Sequence, residues 1–164
     1  MSDRKFKTLE RKPVWLAALT VLSLVATGVL PTVLWSQDDL EFTDVRSQTL
    51  QFIEWEKSIE LTPEQEEIKR AALTALPAPC CSDNTAYTCC CPCNSAKAWW
   101  GLTAHLIAER GYDAEQVKEK VSEWFAFINP DGFSGDVCYT RGGCAKPFHE
   151  NGCGGMDDKA VAFE

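Results

Sequence analysis

Six cysteines crowd into one short stretch of this chain: Cys80, Cys81, Cys89, Cys90, Cys91 and Cys93 all lie within residues 80–93. Three more, Cys138, Cys144 and Cys153, follow in a glycine-rich tail that also holds His149 and Met156. Thiols at this density have three chemical fates: disulfides, metal ligands or a redox couple. The first two tie distant parts of the chain together, so the run constrains the fold as well as the function. Nine is an odd count, so at least one thiol is free, metal-bound or shared with another chain.

The compartment comes from the other end of the sequence. Residues 14–35 are 22 positions without a charge, and a helix crossing a bilayer needs about 20. Trp15 and Trp35 stand at its ends, where indoles favour the headgroup region, and Pro31 falls where a kink is tolerated. Arg4, Lys5, Lys7, Arg11 and Lys12 precede the run, and Asp38, Asp39, Glu41 and Asp44 follow it. The positive-inside rule then keeps the amino terminus cytoplasmic and exports residues 36–164. The run is long for a signal peptide and closes on Thr-Val-Leu-Trp-Ser-Gln, a poor small-residue cleavage site. An uncleaved single-span anchor in the cell membrane is the expectation.

Of 24 acidic and 16 basic residues, two and five lie ahead of the apolar run, leaving 22 against 11 and a net −11 outside. That balance argues against nucleic acid, which requires clustered Lys and Arg. The membrane is the expected partner, with an extracytoplasmic protein as a second class. All nine cysteines fall in the exported part, where oxidation is permitted.

Helical patterning fills most of the exported part. Thr43 or Asp44 is a fit N-cap for a first helix, with Phe42, Val45, Phe52, Ile53 and Ile59 near one face. Thr62-Pro63-Glu64-Gln65 is a capping box for a second, with Ile68, Ala71, Ala72, Ala75 and Leu76 as its apolar side. Pro77 and Pro79 stop that helix just before Cys80. A third starts after Cys93 with Asn94 or Ser95 as cap and runs to about Arg110, where Gly111 ends it. Ala96, Trp99, Thr103, Leu106 and Ile107 share a face, and His105 and Glu109 are spaced to pair. Asp113 and Gln116 cap a fourth, with Val117, Val121, Trp124, Phe125 and Ile128 as its stripe. Asn129-Pro130-Asp131-Gly132 is a strong turn, and the tail beyond it lacks periodicity. The fold expected is therefore all-α. Residues 1–13 form a cytoplasmic basic segment and 14–35 the transmembrane helix. Residues 36–129 form a domain of three or four helices with an irregular Cys-rich loop, and 130–164 a Gly- and Cys-rich tail.

For the thiols, three chemistries compete. Cys90 and Cys93 make a Cys-x-x-Cys pair directly before a helix, where the free amides and the dipole favour a thiolate. These two would be the catalytic residues of a thiol–disulfide oxidoreductase. For a metal, the loop offers Cys80, Cys81, Cys89 and Cys91, and the tail offers Cys138, Cys144, His149, Cys153 and Met156. Three thiolates and an imidazole are a closed zinc set, and thioether with thiolate suits copper(I). About four thiolates would also serve an iron–sulfur cluster. Structural disulfides are the third fate: four bridges and a spare thiol would staple the tail, at about 2–4 kcal/mol each. With two histidines there is no Ser-His-Asp arrangement to propose, and no phosphate-binding glycine loop occurs.

The order of capped helix, cysteine loop, helix, glycine and capped helix resembles two families of exported bacterial proteins. One is the group named for its PCYCGC motif, whose function is not established. The likeness covers residues 62–128: Pro79-Cys80-Cys81, Cys90-x-x-Cys93, an Ala-rich helix, Gly111, then Val117 to Phe125. The motif letters themselves are absent, and Cys-Cys-Pro-Cys is their loose counterpart. In layout the chain is also similar to the membrane-anchored thiol reductase of c-type cytochrome maturation, whose redox pair would fall on Cys90 and Cys93. Tyr87-Thr88-Cys89 stands where that family has Leu-Arg, and residues 130–164 have no counterpart in it. The leading expectation is a membrane-tethered module for a soft metal, copper before zinc. A reductase and a disulfide-stapled interaction domain stand as its alternatives.

Overall fold

Among the described residues, each of the four α-helices begins at a residue whose side chain takes up otherwise free amide groups. The computed structural model describes residues 40–136 and 142–164. Helix α1 spans Val45–Ser58, and the Asp44 carboxylate accepts from the Ser47 amide at 2.6 Å. Helix α2 spans Pro63–Thr74 behind the Thr62/Gln65 capping box, and α4 spans Ala114–Ile128 behind the Asp113/Gln116 box. In each box two donors are satisfied reciprocally. Helix α3, Asn94–Ala108, departs from expectation by one residue: its cap is Cys93, whose Sγ accepts from the Ala96 amide at 3.5 Å. Asn94 is already helical, and its side chain is used elsewhere. Gly111, at φ 66°, closes α3 in the left-handed conformation, with Tyr112 N donating to Leu106 O at 3.0 Å.

Helix α3 is the one the others wrap, since eleven of its fifteen residues are buried. Its closest neighbour is α1, which crosses it at Gly101. A Cβ at that position would stand 1.8 Å from the Phe52 carbonyl oxygen, so only glycine allows the approach. Around the crossing, Phe52 packs edge-on to Trp124 of α4 with ring centroids 4.9 Å apart. His105 does not need Glu109 for its placement: it stacks on Trp55 of α1 at 3.8 Å and 9°. Burial, with the nearby Arg110 charge, lowers its pKa against the pull of Glu109. The stripes of α3 and α4 are as patterned. On α2 the core residues are Ala72 and Leu73, whereas Ala71 and Ala75 face solvent.

The architecture is the mostly helical one expected, with a small hairpin added. Strand β1, Pro77–Ala78, pairs antiparallel with β2, Cys81–Thr85, in a register that sets Ala78 opposite Cys81. The chain then crosses to α3 through residues 86–93, and this crossing is tied down on both sides. Ala86 N donates to Leu76 O at 2.8 Å, and the Ala86 carbonyl accepts from both Trp99 Nε1 (3.0 Å) and Trp100 Nε1 (2.9 Å). After α4 the expected turn forms, with Gly132 N donating to Asn129 O at 2.9 Å. The tail adds single 3-10 turns at Gly143–Ala145 and Phe148–Glu150 and returns to the start of α3. The apolar run at 14–35 lies outside the described residues, and among those described no helix is long and apolar enough to cross a membrane.

Candidate metal centre

Three elements converge where α3 begins. The hairpin turn presents Cys80, the helix cap presents Cys93, and the tail presents Cys153. All three are buried, and their sulfur atoms lie within 4.8 Å of one another. Cys89, from the crossing loop, places its Sγ 3.8 Å from that of Cys80 and is 8% exposed.

The tail reaches this point by backbone pairing. Asn94 N donates to Gly155 O at 2.8 Å, and Ser95 N to Cys153 O at 3.0 Å. The Asn94 side-chain amide donates to the carbonyls of Gly154 and Asp157, each at 2.8 Å, and Lys97 Nζ to Met156 O at 2.9 Å. The free amides of a helix start, which normally face water, are here the dock for residues 153–157. Gly152 makes the approach feasible: a Cβ there would lie 1.9 Å from the Lys146 carbonyl oxygen.

The electrostatics single out one sulfur. Bonds from the Cys153 and Cys80 thiols, then the backbone amides of Ala96 and Ser95, bring the Cys93 pKa down to about 3 against the effect of burial. Cys80 moves the other way, raised by its bonds to Cys153, Cys89 and Cys93 and by burial. At Cys153 the bond with Cys80 lowers the pKa, but the bond to Cys93 and burial outweigh it and the thiol is raised. Cys89 is lowered, chiefly by its bond with Cys80. Without metal, then, the positive end of α3 and its neighbours favour negative charge on Cys93, while Cys80 and Cys153 are held toward the protonated form. A thiophilic cation replacing those protons would meet sulfur on several sides in a water-poor site. The cysteine triad is thus able to hold a metal ion.

The remaining sequence candidates fall elsewhere. Cys81 is buried, but its sulfur accepts from Asn84 Nδ2 at 3.2 Å; in extended chain it turns away from the side Cys80 takes. Cys90 is exposed and Cys91 half-buried, with their sulfurs 3.5 Å apart. Cys144 is half-buried, close enough for its charge to be felt at Cys153. His149 is exposed and lines a hollow with Arg46 and Phe163 at the start of α1, and Met156 is 47% exposed. Neither joins the sulfur triad. Cys138 lies outside the described residues. Cys93, which the sequence suggested only for redox, is a member of the triad. Its place just ahead of a helix was the available signal, since such a residue is both a cap and a dipole-stabilised thiolate. Among the described residues no two cysteines are disulfide-bonded, and the Cys80–Cys89 and Cys90–Cys91 sulfurs, 3.8 and 3.5 Å apart, stand far beyond a disulfide of about 2.05 Å.

Fold and site together define a small helical domain built around a buried polythiol centre. No protein-family model, no curated protein and no solved structure matches the chain.

Proposed function

We propose that this protein is a membrane-tethered, extracytoplasmic module that binds a soft metal ion, copper(I) before zinc, through Cys80, Cys93 and Cys153 with Cys89 as a fourth ligand. The observation that carries the reading is the convergence of three buried sulfurs from a hairpin, a helix cap and a tail within 4.8 Å. Three thiolates suffice for copper(I). With Cys89 the set becomes four, and a tetrahedral zinc thiolate with bonds of about 2.3 Å has sulfur–sulfur edges of about 3.8 Å. The Cys80–Cys89 spacing of 3.8 Å fits that edge. The tether rests on the charge-free run at 14–35 and the basic residues before it. The layout shared with the PCYCGC-motif proteins is compatible with this role.

A reductase reading draws less support. Exchange chemistry needs an exposed thiolate to attack, whereas here the low-pKa sulfur, Cys93, is wholly enclosed and the exposed member of the pair is Cys90. The test is native mass and elemental analysis of the full chain, purified anaerobically in detergent. About one copper or zinc per chain is expected, lost in Cys153→Ser. A metal-free mass with its cysteines fully bridged would overturn the proposal in favour of a disulfide-stapled domain.

A further inference from the structure

Two sulfurs in the cysteine loop are left over by the buried centre, and they lie on its outer side. Cys90 is exposed, and its Sγ is 3.5 Å from that of Cys91. Cys89, next in the chain, faces inward: its Sγ is 3.8 Å from Cys80 and bonds to the Cys91 carbonyl at 3.7 Å. The sulfurs of Cys90, Cys91 and Cys89 therefore grade from exposed through half-buried to enclosed within one loop whose two ends are anchored, and lead to Cys80 on the hairpin turn. The anchors are the Ala86 carbonyl, held by Trp99 and Trp100, and the Cys93 cap of α3.

The geometry points to Cys90 and Cys91 as a surface loading site for copper(I), from which Cys89 draws the ion into the Cys80/Cys93/Cys153 centre. This rests on the copper form of the function proposed above. Two thiolates can hold a soft monovalent ion, whereas zinc takes about four ligands, so a two-sulfur surface site selects for copper(I). The transfer is a ligand exchange. The Cys89 thiolate adds to copper bound by Cys90 and Cys91, and one of those two sulfurs leaves and takes a proton from water. Cys80, Cys93 and Cys153 then replace the other, which takes up one of the two protons that Cys80 and Cys153 release, and the second proton passes to solvent. Copper stays monovalent throughout, and no electron moves. At each step a new sulfur binds before an old one departs, so the ion is never bare. A buried site without such an outer pair would have to open for the ion to enter.

The experiment is anaerobic stopped-flow loading of the full chain in detergent, with copper(I) supplied as its coloured bicinchoninate complex. Cys90→Ser and the Cys90→Ser/Cys91→Ser double variant are compared with the wild type. Both should reach the wild-type occupancy of one tightly held ion, with loading slowed at least tenfold in the double variant. Met156→Leu, which removes another exposed soft donor, should load at the wild-type rate. Loading by the double variant within twofold of wild type would overturn the relay and leave the buried centre standing. A wild-type chain that takes no copper from the complex would overturn the copper form of the buried centre and the relay with it. Circular dichroism of the variants shows that any slowing is not misfolding.

Discussion

Cys93 caps α3 and, in the proposed centre, is also a metal ligand, and a substitution can part the two. Serine is a good N-cap, so Cys93→Ser keeps a bond to the Ala96 amide and the helical fold, and the metal-free variant lacks only the stability that the Cys93 thiolate adds above the acid range. The substitution removes a ligand of the triad, and metal affinity should fall by more than about 100-fold, since even outer-shell changes cost about 10–100-fold. Thermal unfolding and a competitive chelator titration read the two effects separately. The pH dependence follows from the same sulfur. Its pKa is lowered from 9.0 to about 3 on folding. Its contribution to stability is thus fully present above about pH 9 and is lost as pH falls toward 3. The stability advantage of metal-free wild type over Cys93→Ser should shrink steadily between pH 8 and pH 4 in denaturant titrations; a constant difference would show that Cys93 is not a thiolate. Metal affinity should fall over the same range, because binding releases the protons of Cys80 and Cys153.

At the scale of elements, the α1/α3 crossing has no slack. Gly101→Ala should destabilise the fold by about 3 kcal/mol, the upper part of the range for overpacking, although alanine is the better helix former. Urea unfolding with an unchanged slope would measure it. The crossing loop is held by a carbonyl shared between two indoles, so Trp100→Phe should cost about 1 kcal/mol and leave the Trp99 bond in place. Most of these elements were legible in the sequence. Both capping boxes, the Asp44 cap, the Gly111 stop and the Asn129–Gly132 turn depend on neighbours a few residues apart, and that range is where spacing speaks. The hairpin was not legible: its strands read Pro-Ala and Cys-Ser-Asp-Asn-Thr, without the branched or aromatic alternation that marks a strand. Gly101 gave no sign either, because its reason is a carbonyl on another helix. The choice of ligands was hidden for a similar cause. Nothing local separates Cys80 from Cys81, or Cys153 from Cys144; the path of the tail decides.

Over the whole molecule, the tail from 142 to 164 behaves as a closing piece. Its bonds to the start of α3 mean that the Asn94 and Ser95 amides should exchange slowly in the metal-loaded protein and markedly faster after chelation. Hydrogen-exchange mass spectrometry on the two states checks this, and equal protection in both would show that the tail docks independently of metal. A metal joining Cys93 to Cys153 closes a loop of 60 residues. If it acts as a cross-link on the unfolded chain, the entropy of that closure corresponds to about 4 kcal/mol.

That separation has a consequence in time. A chain made from its amino terminus delivers Cys80, Cys89 and Cys93 well before Cys153 exists to join them. The four helices can pack in the interval, since their caps and the Gly101 crossing all lie before the tail. The last sulfur then arrives at a prepared surface and completes the centre by docking on α3. Under the proposed function, metal retention is therefore a late event in the maturation of the molecule, and a firmly held ion would mark a chain whose tail has found its place.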